Sequence, residues 1–146
     1  MSPIYLPEGL PSPVPARDQL DEPFWSSLRE ERLMLQSCQA CGRWQWGPEW
    51  ICHRCRSFNL TFRPLEPHGL IYSYERVWHP VHRSLKDHGP YLIVLVEIPH
   101  ADGVRLVGNL LGDPLQEVRI GQPVRGVFEH HRSAVPPFTL LQWMAA

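Results

Sequence analysis

Residues 38–56 read CQACGRWQWGPEWICHRCR, and they contain every cysteine of the 146-residue chain, arranged as two Cys-x-x-Cys pairs, Cys38/Cys41 and Cys52/Cys55. Ten residues separate the pairs, three of them tryptophans (Trp44, Trp46 and Trp50). A single pair between a strand and a helix would suit a thioredoxin-like redox site, but a second pair argues against that. Four soft thiolates within eighteen positions make the tetrahedral ligand set that structural zinc prefers. Iron in a rubredoxin-like site uses the same four ligands, and spacing does not separate the two metals. Each pair can form a tight knuckle whose backbone N–H groups face the sulfurs, and Gly42 suits the positive φ such a turn needs. Four protein ligands leave no open coordination position, so the metal holds structure together and performs no chemistry.

The surroundings of this segment bound the rest. Apolar residues make up 43% of the chain and charged ones 20%, enough for a core of its own, and the net charge is −1. Nucleic-acid modules carry a marked basic excess, which is lacking here. No run of about eighteen apolar residues exists to cross a membrane. The N-terminus has no basic start followed by a hydrophobic stretch, so a secretory signal is not expected. The expected location is the cytoplasm, where thiols stay reduced.

Four regions follow along the chain. Residues 1–20 hold prolines at positions 3, 7, 11, 13 and 15, which predicts either a disordered leader or an extended arm that lies on a partner. Residues 21–33 contain an amphipathic helix, placed at 22–32, with Asp21 or Glu22 as cap, Pro23 in the first turn and Phe24, Trp25, Leu28 and Leu33 at helical spacing. Residues 34–59 form the ribbon, where short strands enter and leave the first knuckle and the tryptophans cover the metal site or bridge it to the next domain. Residues 60–146 are β-rich, with strands at 60–63, 69–78, 90–98, 104–111, 124–131 and 138–144. Short turns and the lack of a helical period predict a small antiparallel barrel of the OB type, in which closure removes exposed edges. Gly69, Gly108 and Gly126 fall inside strands and are expected to mark bulges or sharp coiling. The fold class is therefore mainly β: a short helix, a rubredoxin-like ribbon and an OB barrel.

The segment PFWSSLREERLMLQSCQACGRWQWGPEWICHRC resembles the zinc-ribbon OB-fold proteins, formerly catalogued as a domain of unknown function, that accompany thiolases and other acyl-CoA enzymes. The likeness rests on Pro23, Phe24, Trp25, Leu33, Cys38, Cys41, Gly42, Trp46, Pro48, Cys52 and Cys55, and continues in GLIYSYERVWHP, PYLIVLVEI, VGNLLG and IGQPVRGVFE. It covers roughly residues 22–143. The resemblance implies a non-catalytic accessory subunit that docks to and stabilises a thiolase-fold catalytic subunit (a thiolase, acyltransferase or retro-aldolase), with a hydratase or acyl-CoA dehydrogenase of the same pathway as a further partner. Binding of a coenzyme A thioester by the complex is a second implication.

The residues themselves add negative support. Once the metal is bound no cysteine remains as a nucleophile, and there is no Gly-x-Ser-x-Gly elbow, no His-Glu-x-x-His and no glycine-rich phosphate loop. The segment HPVHRSLKDHG (79–89) carries His79, His82, Arg83 and Lys86, which can meet coenzyme A phosphates or partner carboxylates. With Trp25 and Trp78 they form the candidate contact set. Two other functions compete: a nucleic-acid-binding ribbon/OB module, for which Trp78, Tyr72 and Tyr74 supply aromatic platforms without the cationic groove, and a stand-alone acyl-CoA-binding protein.

Overall fold

The computed structural model describes residues 4, 5, 7 and 9–146. Part of the predicted arm, including Pro3, lies outside the described residues. The described part of the arm contains no helix or strand, and it lies against the chain's own barrel instead of extending from it. The Tyr5 N–H donates to Glu129 Oε2 at 3.1 Å, and the Tyr5 hydroxyl accepts from the Leu92 N–H at 3.2 Å. A proline-rich segment has little conformational entropy left to lose, so few contacts suffice to hold it.

The helix α1 spans Glu22–Arg29, three residues shorter at its end than the sequence period suggests. Its stop is a backbone motif: Glu31 sits in the left-handed region (φ 55°), Leu28 C=O accepts from the Glu31 N–H, and Ser27 C=O accepts from the Arg32 N–H. That pair of reversed hydrogen bonds satisfies carbonyls the helix would otherwise leave open. Asp21 occupies the cap position, but its carboxylate does not cap; it accepts from the Trp25 indole N–H at 2.9 Å.

Two sheets follow. The first has the order β2-β1-β3, with β1 at Leu33–Cys38, β2 at Trp44–Gln45 and β3 at Leu60–Leu65. The strand read from residues 60–63 therefore belongs to the ribbon sheet, pairing with β1 from Leu33↔Leu65 to Cys38↔Leu60, and not to the barrel. Entry into the first knuckle is thus held from both sides.

The second sheet has five antiparallel strands in the order β6-β5-β4-β7-β8: β4 at His68–Val77, β5 at Tyr91–Ile98, β6 at Val104–Asn109, β7 at Pro123–His131 and β8 at Phe138–Ala145. Its two ends meet. Leu110 bridges to Trp143, and the Leu111 N–H donates to Trp143 C=O at 2.7 Å, so the sheet closes into a near-complete barrel of the OB type. Burial alternates strictly along β5, with Leu92, Val94, Val96 and Ile98 inside.

The strand glycines do not mark bulges. The one register shift recorded in the β4–β5 pairing lies between Ile71 and Ser73. Gly69, Gly108 and Gly126 are instead places where another part of the chain comes too close for a side chain. A Cβ at Gly69 would lie 2.5 Å from Glu97 O and 2.5 Å from Val96 Cγ1. Because the obstacle is partly backbone of the paired strand, Gly69→Ala should lower stability by about 1–3 kcal/mol, the usual cost of overpacking. A thermal melt checks this, and an unchanged transition would contradict it.

One apolar cluster runs through all three parts: Phe24 and Leu28 of α1, Leu33 and Leu35 of β1, and the barrel residues from Ile71 to Trp143. The ribbon is thus packed onto the barrel and not tethered beside it. Trp46 joins by packing against Phe24 with centroids 4.4 Å apart and planes tilted by 49°, and the Trp44 N–H donates to Asp102 Oδ2 at 2.8 Å. Among the described residues no helix is long and apolar enough to cross a membrane.

Candidate metal centre and partner surface

The β1–β2 turn and the turn before β3 bring the four cysteines together. All four Sγ atoms lie within 4.8 Å of one another, with Cys38–Cys55 at 3.6 Å and Cys41–Cys52 at 3.7 Å. A tetrahedron with metal–sulfur bonds of about 2.3 Å has edges of about 3.8 Å, so the spacing fits one zinc-sized ion. None of the four is in a disulfide; Cys38 and Cys52 are buried and Cys41 and Cys55 are exposed.

The two knuckles are built alike. Cys38 C=O accepts from the Gly42 N–H at 2.8 Å, and Cys52 C=O accepts from the Arg56 N–H at 3.0 Å. Both donors follow the second cysteine of their pair and take left-handed backbone, Gly42 at φ 76° and Arg56 at φ 63°. Gly42 was legible as such a residue; Arg56 is its non-glycine equivalent. Inside each turn, amide N–H groups face sulfur. The Cys55 N–H, helped by that of Arg54 and opposed by burial, holds the Cys52 thiol down to about 6, and the Cys41 N–H lowers Cys38 in the same way. Such donors favour the thiolate that a metal requires.

A pair of glutamines, which the sequence did not single out, clamps the two knuckles to each other. Gln36 and Gln45 are cross-strand partners on β1 and β2, both buried. Gln45 Nε2 donates to Gln36 Oε1 at 2.7 Å and to Ile51 C=O, while Gln45 Oε1 accepts from the His53 N–H at 3.0 Å. Gln36 in turn accepts from the Glu49 N–H and donates to Glu49 C=O. Three backbone groups of the segment between the pairs and one inside the second knuckle are thereby satisfied, which fixes one knuckle relative to the other. The available signal was polar residues facing each other across the first knuckle.

The candidate contact residues divide into two places. Trp25 lies on α1, partly buried, with its indole N–H on Asp21 and its ring edge-on to Phe24 at 5.1 Å, so it works as packing. The others lie on the segment between β4 and β5. There Trp78 is 57% exposed, Val81 is fully exposed, and His79, His82, Arg83 and Lys86 all face solvent. A single 3-10 turn at Arg83–Leu85 anchors the segment through buried Leu85, and His82 Nδ1 accepts from the Ser84 N–H at 3.2 Å. The histidines gather no metal-ligand group here; among the described residues the four cysteines are the one cluster of metal-ligating side chains.

Comparison with known proteins agrees with this architecture. Residues 25–61 match the family model described as "ChsH2, rubredoxin-like zinc ribbon domain", and residues 62–129 match "ChsH2, C-terminal OB-fold domain". The solved structure of the "Ltp2-ChsH2(DUF35) aldolase" contains a chain 30% identical, with a TM-score of 0.76, covering 90% of this chain and 98% of that one. A DUF35 protein of unknown function from Sulfolobus solfataricus shares the fold at a TM-score of 0.57 and 18% identity, covering 86% of this chain and 84% of that one. Among curated relatives, a "Probable enoyl-CoA hydratase alpha subunit" of Thermomonospora curvata is 35% identical over 77% of this chain. A "DUF35 domain-containing scaffold protein" of Methanocaldococcus jannaschii is 26% identical over 77% of this chain and 79% of its own length. The "3-oxo-4,17-pregnadiene-20-carboxyl-CoA hydratase alpha subunit" of Mycobacterium tuberculosis is 28% identical over 95% of this chain. The chain spans only 34% and 45% of the lengths of these two hydratase subunits. With its four-cysteine ribbon, its closed five-stranded barrel and these matches, the chain belongs to the ChsH2 (DUF35) family of zinc-ribbon OB-fold proteins.

Proposed function

We propose that this protein is a non-catalytic accessory subunit of a thiolase-fold acyl-CoA enzyme, working in the cytoplasm, with zinc in the four-cysteine site. The observation that carries this reading is the match, over 98% of its length, to a chain of the Ltp2-ChsH2(DUF35) aldolase. The scaffold name of the archaeal relative points the same way. In this reading the metal and the shared core make a rigid body, and the large subunit supplies nucleophile and acid/base groups. The segment 78–86 presents an exposed tryptophan beside Arg83 and Lys86, the residue types that anchor interfaces by filling a pocket and pairing with carboxylates. The same cations suit coenzyme A phosphates at the subunit boundary.

Affinity-tagged protein co-expressed with a thiolase-fold chain encoded nearby should retain that chain, and the large chain alone should be insoluble or inactive. Recovery of the tagged protein unaccompanied, beside a fully active large chain, would overturn the reading. Replacing Trp78 with alanine and Arg83 with glutamate together should weaken the complex by about tenfold or more, as expected for an interface anchor, with metal content and melting unchanged. The hydratase relatives favour one second reading, a hydratase as the retained partner. The same pull-down separates the two by which chain is captured.

A further inference from the structure

A cavity of about 370 Å³ lies between the N-terminal arm and the β7–β8 hairpin. Its walls are mostly apolar and rigid: Pro7, Leu10, Pro11 and Pro13 on one side, Phe138 and Leu140 on the other. Its polar end is a buried network. Glu129 is 1% exposed, and its carboxylate accepts from the Gln142 amide at 3.2 Å, the Tyr5 N–H at 3.1 Å and His131 Nε2 at 2.7 Å. The His131 ring stacks on Phe138 with centroids 4.4 Å apart and planes 12° from parallel. Glu129, His131, Phe138, Leu140 and Gln142 share one face because the hairpin register sets Glu129 opposite Leu140 and His131 opposite Phe138.

We infer that this cavity is a binding site for a small, uncharged, ring-bearing molecule whose O–H or N–H group donates to the His131 end. The size falls at the lower end of the about 300–1,000 Å³ typical of small-molecule sites, and the mix of apolar walls with few convergent polar groups is the usual composition. Prolines and a stacked imidazole–phenyl pair make flat walls that lose little side-chain freedom on contact, which favours flat rings. In the tautomer whose Nε2–H donates to the Glu129 carboxylate, the second ring nitrogen, Nδ1, makes no hydrogen bond among the described residues and is available as an acceptor to a ligand. Charge sets the class. Among the described residues the ionisable side chains in the lining are Glu129 and His131, with no lysine or arginine, so an anion would enter beside a buried carboxylate without a lysine or arginine to pair with. Phosphates and carboxylates are therefore excluded, and this site is distinct from any that holds coenzyme A phosphates.

The test is fluorescence titration of the full chain with the uncharged dye phenylnaphthylamine and with its sulfonated counterpart, anilinonaphthalene sulfonate. The uncharged dye should bind saturably, one per chain, and the sulfonate at least about tenfold more weakly, the cost of placing an anion beside Glu129. Leu140→Trp should fill the cavity and reduce affinity for the uncharged dye. Leu10→Asp, on the arm and outside the shared core, should do the same with an unchanged melting temperature. Absence of saturable binding, equal affinity for the two dyes, or wild-type binding by Leu10→Asp would overturn the inference. None of these outcomes depends on whether a partner subunit is bound.

Discussion

Cys52→Ser should release the metal and melt the ribbon, taking the melting cooperativity of the whole chain with it. Cys52 is the most enclosed ligand, fully buried, and the Cys55 and Arg54 amides favour its thiolate. Serine keeps the size but offers a hard, protonated oxygen where the site needs a soft anion. At such sites binding free energy is folding free energy, because the unfolded chain has no preformed tetrahedron. The damage should not stay local. Leu33 and Leu35 of β1 and Trp46 beyond β2 sit in the same apolar cluster as the helix and barrel, so loosening the knuckles removes one wall of that core. The expected result is a fall from one metal ion per chain to near zero, together with a lower and broader thermal transition. A Cys52→Ser protein that kept stoichiometric metal and a wild-type melt would contradict both the ligand assignment and the shared-core argument.

Trp143→Ala carries the second large effect. The side chain is completely buried, and truncating a buried tryptophan costs about 3–5 kcal/mol through lost transfer energy and an unfilled cavity. At this chain length that corresponds to a fall of roughly ten degrees or more in melting temperature. Position makes the upper part of the range the expectation. Trp143 stands where the barrel closes, its C=O accepting from the Leu111 N–H, and Gly108 leaves room for its ring: a Cβ there would come 2.8 Å from Trp143 Cδ1. Trp143→Phe should recover much of the loss. It keeps an aromatic ring against Gly108 and removes the indole N–H, which has no partner among the described residues and is costly to bury. A phenylalanine variant as unstable as the alanine one would contradict this, showing that neither a smaller ring nor the volume it restores suffices at the seam.

The parts of this protein differ in how openly the sequence declares them, and the difference follows the range of the forces involved. The metal centre was legible because ligand chemistry is local: two Cys-x-x-Cys pairs prescribe their own knuckles, and Gly42 announces the left-handed turn. The five barrel strands were legible because short apolar, β-branched runs bounded by proline and turn residues mark strands, as in Tyr91–Ile98. The sixth strand read, at 60–63, was found where expected, but its partner was not, since a short run such as LTFR carries no information about which sheet it joins. The helix end was misread for a related reason. Glu30, Glu31 and Arg32 are good helix formers, yet Glu31 takes left-handed backbone, and its carboxylate meets His130 Nε2 at 2.9 Å across 99 residues of sequence. The left-handed stop at Glu31 and the pairing of β1 with β3, which begins at Leu33, override local propensity.

Glu129 shows the same limit at a candidate binding site. Nothing in VFEHH singles Glu129 out, and only the approach of Gln142 and Tyr5, with His131 two positions along, makes it a buried, hydrogen-bonded carboxylate. The sequence alone determined the ligands, the strand count and the mainly β class, because those depend on neighbours within a few positions. Tertiary structure alone decided which sheet β3 entered, why three glycines must lack side chains, and what lies beneath the arm. Each of those turns on atoms brought into contact from far along the chain, where the energy of close approach has no counterpart in local residue order.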